Sequence, residues 1–292
     1  MYDIGAYYNA KTIEEAVSLL EQHPKARIIC GGSDMLVKIR EGRMAGTDLV
    51  CIREIPQLYG VTMNDQGEIL VGAATTFSHL AADGLIRRHV PVLGEAVDQV
   101  GGPQVRNIGT IGGNVCNGAV SADSAPALFS LNAILETASP QGNRRIPIGE
   151  FYEGPGRVRL SQGEVLTRLV IPREGYEGCS GHYIKYAMRD AMDIATLSCC
   201  AVCRVEDGIL SEVRITFGVA APVPLRLTRT EEALRGKPVS EELYDQVRDL
   251  VRQEITPRDS WRASRAFRLQ VGGEIAARAL KEAVEKAGGE RA

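Results

Sequence analysis

The chain has 292 residues, enough for two ordinary domains and a sizeable buried core. With 44% hydrophobic and 24% charged residues and a formal net charge of −3, it has a globular composition and no basic excess for nucleic acid. No stretch approaches the roughly 20 apolar residues of a membrane-spanning helix. Met1 to Gly5 carry no export signal, and seven cysteines without framework spacing suit reduced thiols, so a cytoplasmic location is expected.

In chain order, Thr12 with Glu15 three residues on makes a capping box, and a helix is expected over 12–22. Arg27-Ile28-Ile29-Cys30 reads as a buried strand that stops at Gly31-Gly32 and passes into a helix start at Ser33-Asp34-Met35. Strands are expected over 49–52 and 69–73, and helix over 77–99 with a break at Pro91. From Gly101 to Asp123 glycine and asparagine crowd together. Glycine costs backbone entropy in helix and strand alike, so irregular backbone shaped for close approach is expected there. Ser124-Ala125-Pro126 opens a helix to about Ala133. After Ile171-Pro172 the polar segment Arg173–Gly181 reads as a domain junction. Strands over 194–206 and 209–220 then meet at Asp207-Gly208, a hairpin signal. Helices over 240–255 and 259–286 close the chain. The class is α+β, with domains at 1–176 (itself split near 57) and 177–292.

Several chemistries lack their residues. The four histidines, His23, His79, His89 and His182, show no metal-ligand spacing. There is no G-x-S-x-G elbow, no G-x-G-x-x-G after a strand and no G-x-x-x-x-G-K-[ST] loop. Cys199, Cys200 and Cys203 form C-C-x-x-C, but thiols on one strand alternate faces and no fourth ligand lies near. Buried structural cysteines and no metal site are expected.

Two glycine-rich turns remain. In Ile28 to Met35, glycines let backbone N–H groups approach a phosphate, the helix start adds donors and Ser33 adds a hydroxyl. Asp34, awkward beside an anion, reads as a cap. Gln104 to Asn114 carries backbone donors, amides and hydroxyls, with Asp123 shortly after. The set suits a ligand with phosphates, a ribitol or ribose chain and hydrogen-bonding ring edges. From the residues alone, Leu166 is an ordinary strand leucine, Lys185 a solvated lysine and Asp123 a helix cap. The arginines of 262–268 read as a solvated helix face.

The segments N-I-G-T-I-G-G-N at 107–114 and S-A-D-S-A-P-A-L at 121–128 give the chain a strong resemblance. With Gly31-Gly32-Ser33-Asp34 and Lys185-Tyr186-Ala187-Met188-Arg189 running to Asp193-Ile194-Ala195, it resembles the flavoprotein subunits of molybdenum hydroxylases, of the xanthine dehydrogenase type. The likeness runs through essentially the whole chain in one order. It implies a two-part FAD-binding domain of the vanillyl-alcohol oxidase type, then a smaller α+β domain. FAD pyrophosphate and ribityl contacts are implied for Ile28, Ile29, Cys30, Gly31, Gly32, Ser33 and Asp34, and for Ile108, Thr110, Gly112, Gly113 and Asn114. Asp123 would join the flavin's polar contacts, Leu166 would lie on one ring face and Lys185 at the pyrimidine end. Val100 stands where the mammalian enzyme stacks an aromatic.

The resemblance also implies partners: a large chain with the molybdenum cofactor and a small chain with 2Fe-2S clusters, in a heterotrimer passing electrons to this FAD and on to NAD. Xanthine or hypoxanthine is the implied substrate of the whole complex. The lack of a clustered cysteine insertion argues against an iron–sulfur cluster on this chain and against the 4-hydroxybenzoyl-CoA reductase branch. A stand-alone flavin reductase or oxidase of the same fold and a flavin-free assembly scaffold are the alternatives.

Overall fold

The computed structural model describes residues 2–288; the last positions of the expected second domain, 289–292, lie outside the described residues, as does Met1. The chain begins with β1 (Ile4–Asn9), α1 (Ile13–Gln22), β2 (Arg27–Ile29), α2 (Met35–Arg40) and β3 (Thr47–Cys51). β1 and β2 flank β3 in a parallel three-stranded sheet. α1 starts where its cap requires, with Thr12 Oγ1 accepting the Glu15 N–H at 3.1 Å, and it buries Ala16, Val17 and Leu20.

Next come β4 (Val61–Met63) and β5 (Ile69–Gly72), then the short helices α3 (Phe77–Ala82), α4 (Gly84–His89), α5 (Pro91–Asp98), α6 (Pro103–Ile108), α7 (Ile111–Cys116) and α8 (Ser124–Ser130). After them follow β6 (Ile134–Ala138), β7 (Arg144–Pro147), β8 (Tyr152–Gly154), β9 (Arg157–Val158) and β10 (Val165–Ile171). An antiparallel sheet of order β4-β5-β10-β6-β7 results, with β8 and β9 as a separate ribbon. The glycine-rich stretch is therefore not irregular throughout. Pro103 fixes the first turn of α6, and the Thr110 hydroxyl caps α7, which buries Ile111 and Val115 one turn apart. The proline start, the Thr110 cap and this apolar pair outweigh the glycine cost. α8 stops at Ser130, before Ala133, because Asn132 takes φ 53° and turns the chain into β6.

The remainder is β11 (Ser180–Tyr186), β12 (Leu197–Glu206), β13 (Ile209–Gly218) and β14 (Leu225–Arg226), an antiparallel sheet in that order, with α9 (Thr228–Leu234), α10 (Glu241–Glu254) and α11 (Arg265–Lys286). Asp207 and Gly208 take φ 50° and 74°, the left-handed pair that a two-residue hairpin turn demands. α11 begins at Arg265 rather than 259, because the preceding residues form an arch around a buried guanidinium. Arg268, 2% exposed, donates to the carbonyls of Thr196 (3.0 Å), Arg258 and Ala263 (3.2 Å) and to Ser260 Oγ (2.7 Å).

β12 divides two cores. Its Cys199, Ala201 and Cys203 pack with Ile215, Phe217 and Leu280, whereas Cys200 and Val202 pack with Tyr183 and the residues of α3, α5, α8 and the five-stranded sheet. The class is α+β, as the residue pattern implies.

Candidate functional site

β2 delivers the first glycine turn. Gly32 sits at φ 72°, left-handed backbone that favours glycine. The backbone N–H groups of Gly31, Gly32, Ser33 and Asp34 have no acceptor among the described residues. Ser33 and Asp34 are exposed. Successive unpaired N–H groups around a left-handed residue form a concavity suited to an anion. Asp34 does not cap α2: its side chain makes no cap hydrogen bond and lies 3.9 Å from Lys38 Nζ. A residue already in helical conformation cannot swing its carboxylate over its own first turn.

The second turn lies directly against the first. A Cβ placed on Gly31 would fall 1.9 Å from the Ile108 carbonyl oxygen, so only glycine permits the approach. Its backbone donors from Ile111 to Asn114 are already bonded. Ile111 N–H donates to Thr75 O (3.0 Å), Gly112 N–H to Ala73 O (2.8 Å), Gly113 N–H to Thr110 Oγ1 (3.2 Å) and Asn114 N–H to Thr110 O (3.0 Å). Asn114 Oδ1 accepts from Ser124 Oγ at 2.6 Å, and Lys38 of α2 donates to Asn117 at 2.6 Å, so helices from both turns are tied together. Neither Lys38 nor Asn117 was marked by the sequence pattern.

Beyond the turns sits a buried polar cluster. Asp123, at the start of α8, caps nothing. Its Oδ1 accepts from Tyr183 Oη and its Oδ2 from Lys185 Nζ, both at 2.9 Å, and Lys185 also donates to Gln99 O at 2.9 Å. The side chains of Asp123 and Lys185 are each only 8% exposed, so neither the cap nor the solvated-lysine reading holds. Burial pushes the Asp123 carboxyl above its ordinary value, against the opposing pull of Lys185 and Tyr183. Burial likewise pushes the Tyr183 hydroxyl up, and the neighbouring carboxylate adds to it.

Two family models match in tandem: the FAD binding domain in molybdopterin dehydrogenase over residues 2–174, and the CO dehydrogenase flavoprotein C-terminal domain over 182–283. The chain belongs to the FAD-binding subunits of the molybdenum hydroxylases. It is 40% identical over 289 residues to the xanthine dehydrogenase FAD-binding subunit of Escherichia coli O157:H7, covering 99% of each chain. To the nicotinate dehydrogenase FAD-subunit of Eubacterium barkeri it is 31% identical over 261 residues, 84% of this chain and 87% of that one. In structure it is similar to carbon monoxide dehydrogenase from Hydrogenophaga pseudoflava lacking the Mo-pyranopterin moiety, with TM-score 0.93, 28% identity, and 98% and 99% of the two chains covered.

Within this flavoprotein subunit the other singled-out residues fall as follows. Val100 is partly buried beside Gln99, whose carbonyl holds Lys185. Ile108 is 40% exposed at the contact with Gly31. Ile28 and Cys30 pack partly buried on the α1 side of the parallel sheet, Ile29 on the other, and burial pushes the Cys30 thiol up. Leu166, 4% exposed, belongs to the main core within β10, the usual place of a strand leucine. Cys199, Cys200 and Cys203 are split between two faces of β12. Among the described residues no group of three or more His, Cys, Asp or Glu could hold a metal ion. Of the 262–268 arginines, Arg268 is no solvated side chain but the buried centre of the arch. Tyr183 went unmarked in the sequence, although it stands two residues before Lys185, the spacing that shares a strand face.

Proposed function

We propose that the chain carries FAD and serves as the electron-transfer subunit of a cytoplasmic molybdenum hydroxylase. One observation carries the reading: four successive backbone N–H groups, Gly31 to Asp34, lack acceptors among the described residues, in a turn that only glycine lets lie against Ile108. That cradle fits a pyrophosphate. Ser33 adds a hydroxyl to it, and Thr110, Gly112, Gly113 and Asn114 shape the wall along which a ribityl chain would lie. Ile28, Ile29 and Cys30 fix the entry of the turn. Val100 and Lys185 would meet the ring, with Asp123 holding the lysine; Leu166 would back it from within the sheet.

Bound FAD would supply the exchange between single electrons from 2Fe-2S clusters of a small partner chain and the two-electron hydride that NAD takes. The residues of this chain bind and orient. Lys185 places a fixed positive charge where a reduced, anionic ring gains from it. No side chain here is asked to transfer a proton. In this reading the molybdenum cofactor belongs to a large partner chain, and the complex oxidises xanthine or hypoxanthine; of the two, xanthine is in the name of the Escherichia coli relative.

An absorbance spectrum of the purified chain, with chromatography of the cofactor released on denaturation, tests the first step. FAD in near-equal amount to protein is the expected result. A colourless chain that takes up no added FAD would sink the reading. With the partner chains co-expressed, turnover of xanthine with NAD is expected to exceed that of nicotinate, an aldehyde or carbon monoxide.

A further inference from the structure

We infer that Tyr183 is a positioning residue for the lysine of this site: it holds one oxygen of Asp123 while Lys185 is held by the other, leaving Lys185 a single N–H for an acceptor edge of the bound ring. The inference rests on the FAD reading above and deepens it.

The strand register makes the arrangement. Residues 183 and 185 stand on one face of β11, opposite Cys200 and Ser198 of β12, and both reach across to the start of α8. An ammonium has three donors. Lys185 gives one to Asp123 Oδ2 and one to the Gln99 carbonyl. The third has no acceptor among the described residues, and the side chain is 8% exposed. A buried ammonium with one unmatched donor suits a carbonyl or anionic nitrogen, not a ring N–H.

Tyr183 is 1% exposed, and its hydroxyl donates to Asp123. That bond draws carboxylate charge away from Lys185 and fixes the carboxylate plane. The titratable groups around Asp123 are Lys185 and Tyr183 of β11 and, behind the tyrosine, the Cys200 thiol of β12. Removing the hydroxyl leaves the fold's packing in place but lets Asp123 offset more of the lysine's charge. Where Asp123 is ionised, the ring would then see a more negative surrounding.

The test compares Tyr183→Phe, Asp123→Asn and Lys185→Met, each loaded with FAD, by the midpoint potential at alkaline pH. Lys185→Met is expected to lower the potential most. Tyr183→Phe is expected to lower it by at least about threefold in oxidised-to-reduced ratio, with FAD content unchanged. Asp123→Asn is expected to raise it. A Tyr183→Phe potential equal to or above the wild type, while Lys185→Met is displaced, would overturn the inference and leave the FAD reading standing.

If the wild type takes up no FAD, the FAD reading fails. The linkage through Asp123 is then judged by a Tyr183→Phe, Lys185→Met double-mutant cycle in urea unfolding of the apoprotein. Non-additivity of about threefold or more in the unfolding constant supports it, and additive effects overturn it.

Discussion

The two glycine turns look alike in sequence and differ in the state of their backbone donors. In the first, Gly31 to Asp34 keep their N–H groups unbonded among the described residues; in the second, Ile111 to Asn114 each donate within the chain. Glycine richness therefore has two meanings here. At Gly31 it lets the turn lie against the Ile108 carbonyl, and at Gly32 it allows a left-handed φ of 72°. At Gly112 it lets α7 press onto the residue that follows β5, where a Cβ would meet the Ala73 carbonyl oxygen at 2.6 Å. In the proposed reading one turn is the receptor and the other its buttress.

Substitutions that separate affinity from stability would break or sharpen this contrast. The largest effect is expected from Gly31→Ala, whose Cβ would strike an immovable backbone oxygen. FAD affinity should fall by about 100-fold, close to 3 kcal/mol, in a fluorescence-quenching titration. Retained affinity would mean that the first turn is not the cradle. Gly112→Ala should instead destabilise the apoprotein by about 1–3 kcal/mol, as overpacking does, in urea unfolding without FAD. The folded fraction should bind FAD nearly as the wild type does, and a selective loss of binding would erase the distinction. Thr110→Ala removes the cap of α7 and should lower stability by about 1 kcal/mol with little change in FAD content. Ser33→Ala is the mildest change. It removes one hydroxyl contact at the exposed turn, so affinity should weaken by about two- to tenfold, up to ~1.4 kcal/mol, and the urea midpoint of the apoprotein should not move.

What the sequence made legible was local. Thr12 with Glu15 and the Asp207-Gly208 pair act through neighbours a few residues away, and their consequences can be read from the chain alone. The partnership of Asp123 with Tyr183 and Lys185 spans about 60 positions, and only a familiar motif drew attention to two of its three members. The bonded state of the second turn depends on Ala73 and Thr75 of another segment, which no spacing rule connects to it. Arg268 is the sharpest case. An arginine inside an arginine-rich helical pattern reads as solvated, yet backbone carbonyls and a serine hydroxyl, none adjacent to it, enclose it. The helices α6 and α7 are obscured in the sequence for the opposite reason: a high glycine count hides one proline start and one hydroxyl cap.

The shared strand β12 bears on how this chain can be cut and recombined. A wall that finishes two rooms cannot be removed with either. A fragment ended at residue 176 would lose the Tyr183, Cys200 and Val202 side of its own core, and the complementary piece would carry those side chains bare to water. Exchanges between relatives should therefore succeed when the joint leaves β11 and β12 with the helices they cover, and should give sticky, poorly expressed hybrids when the joint follows the apparent seam in the sequence.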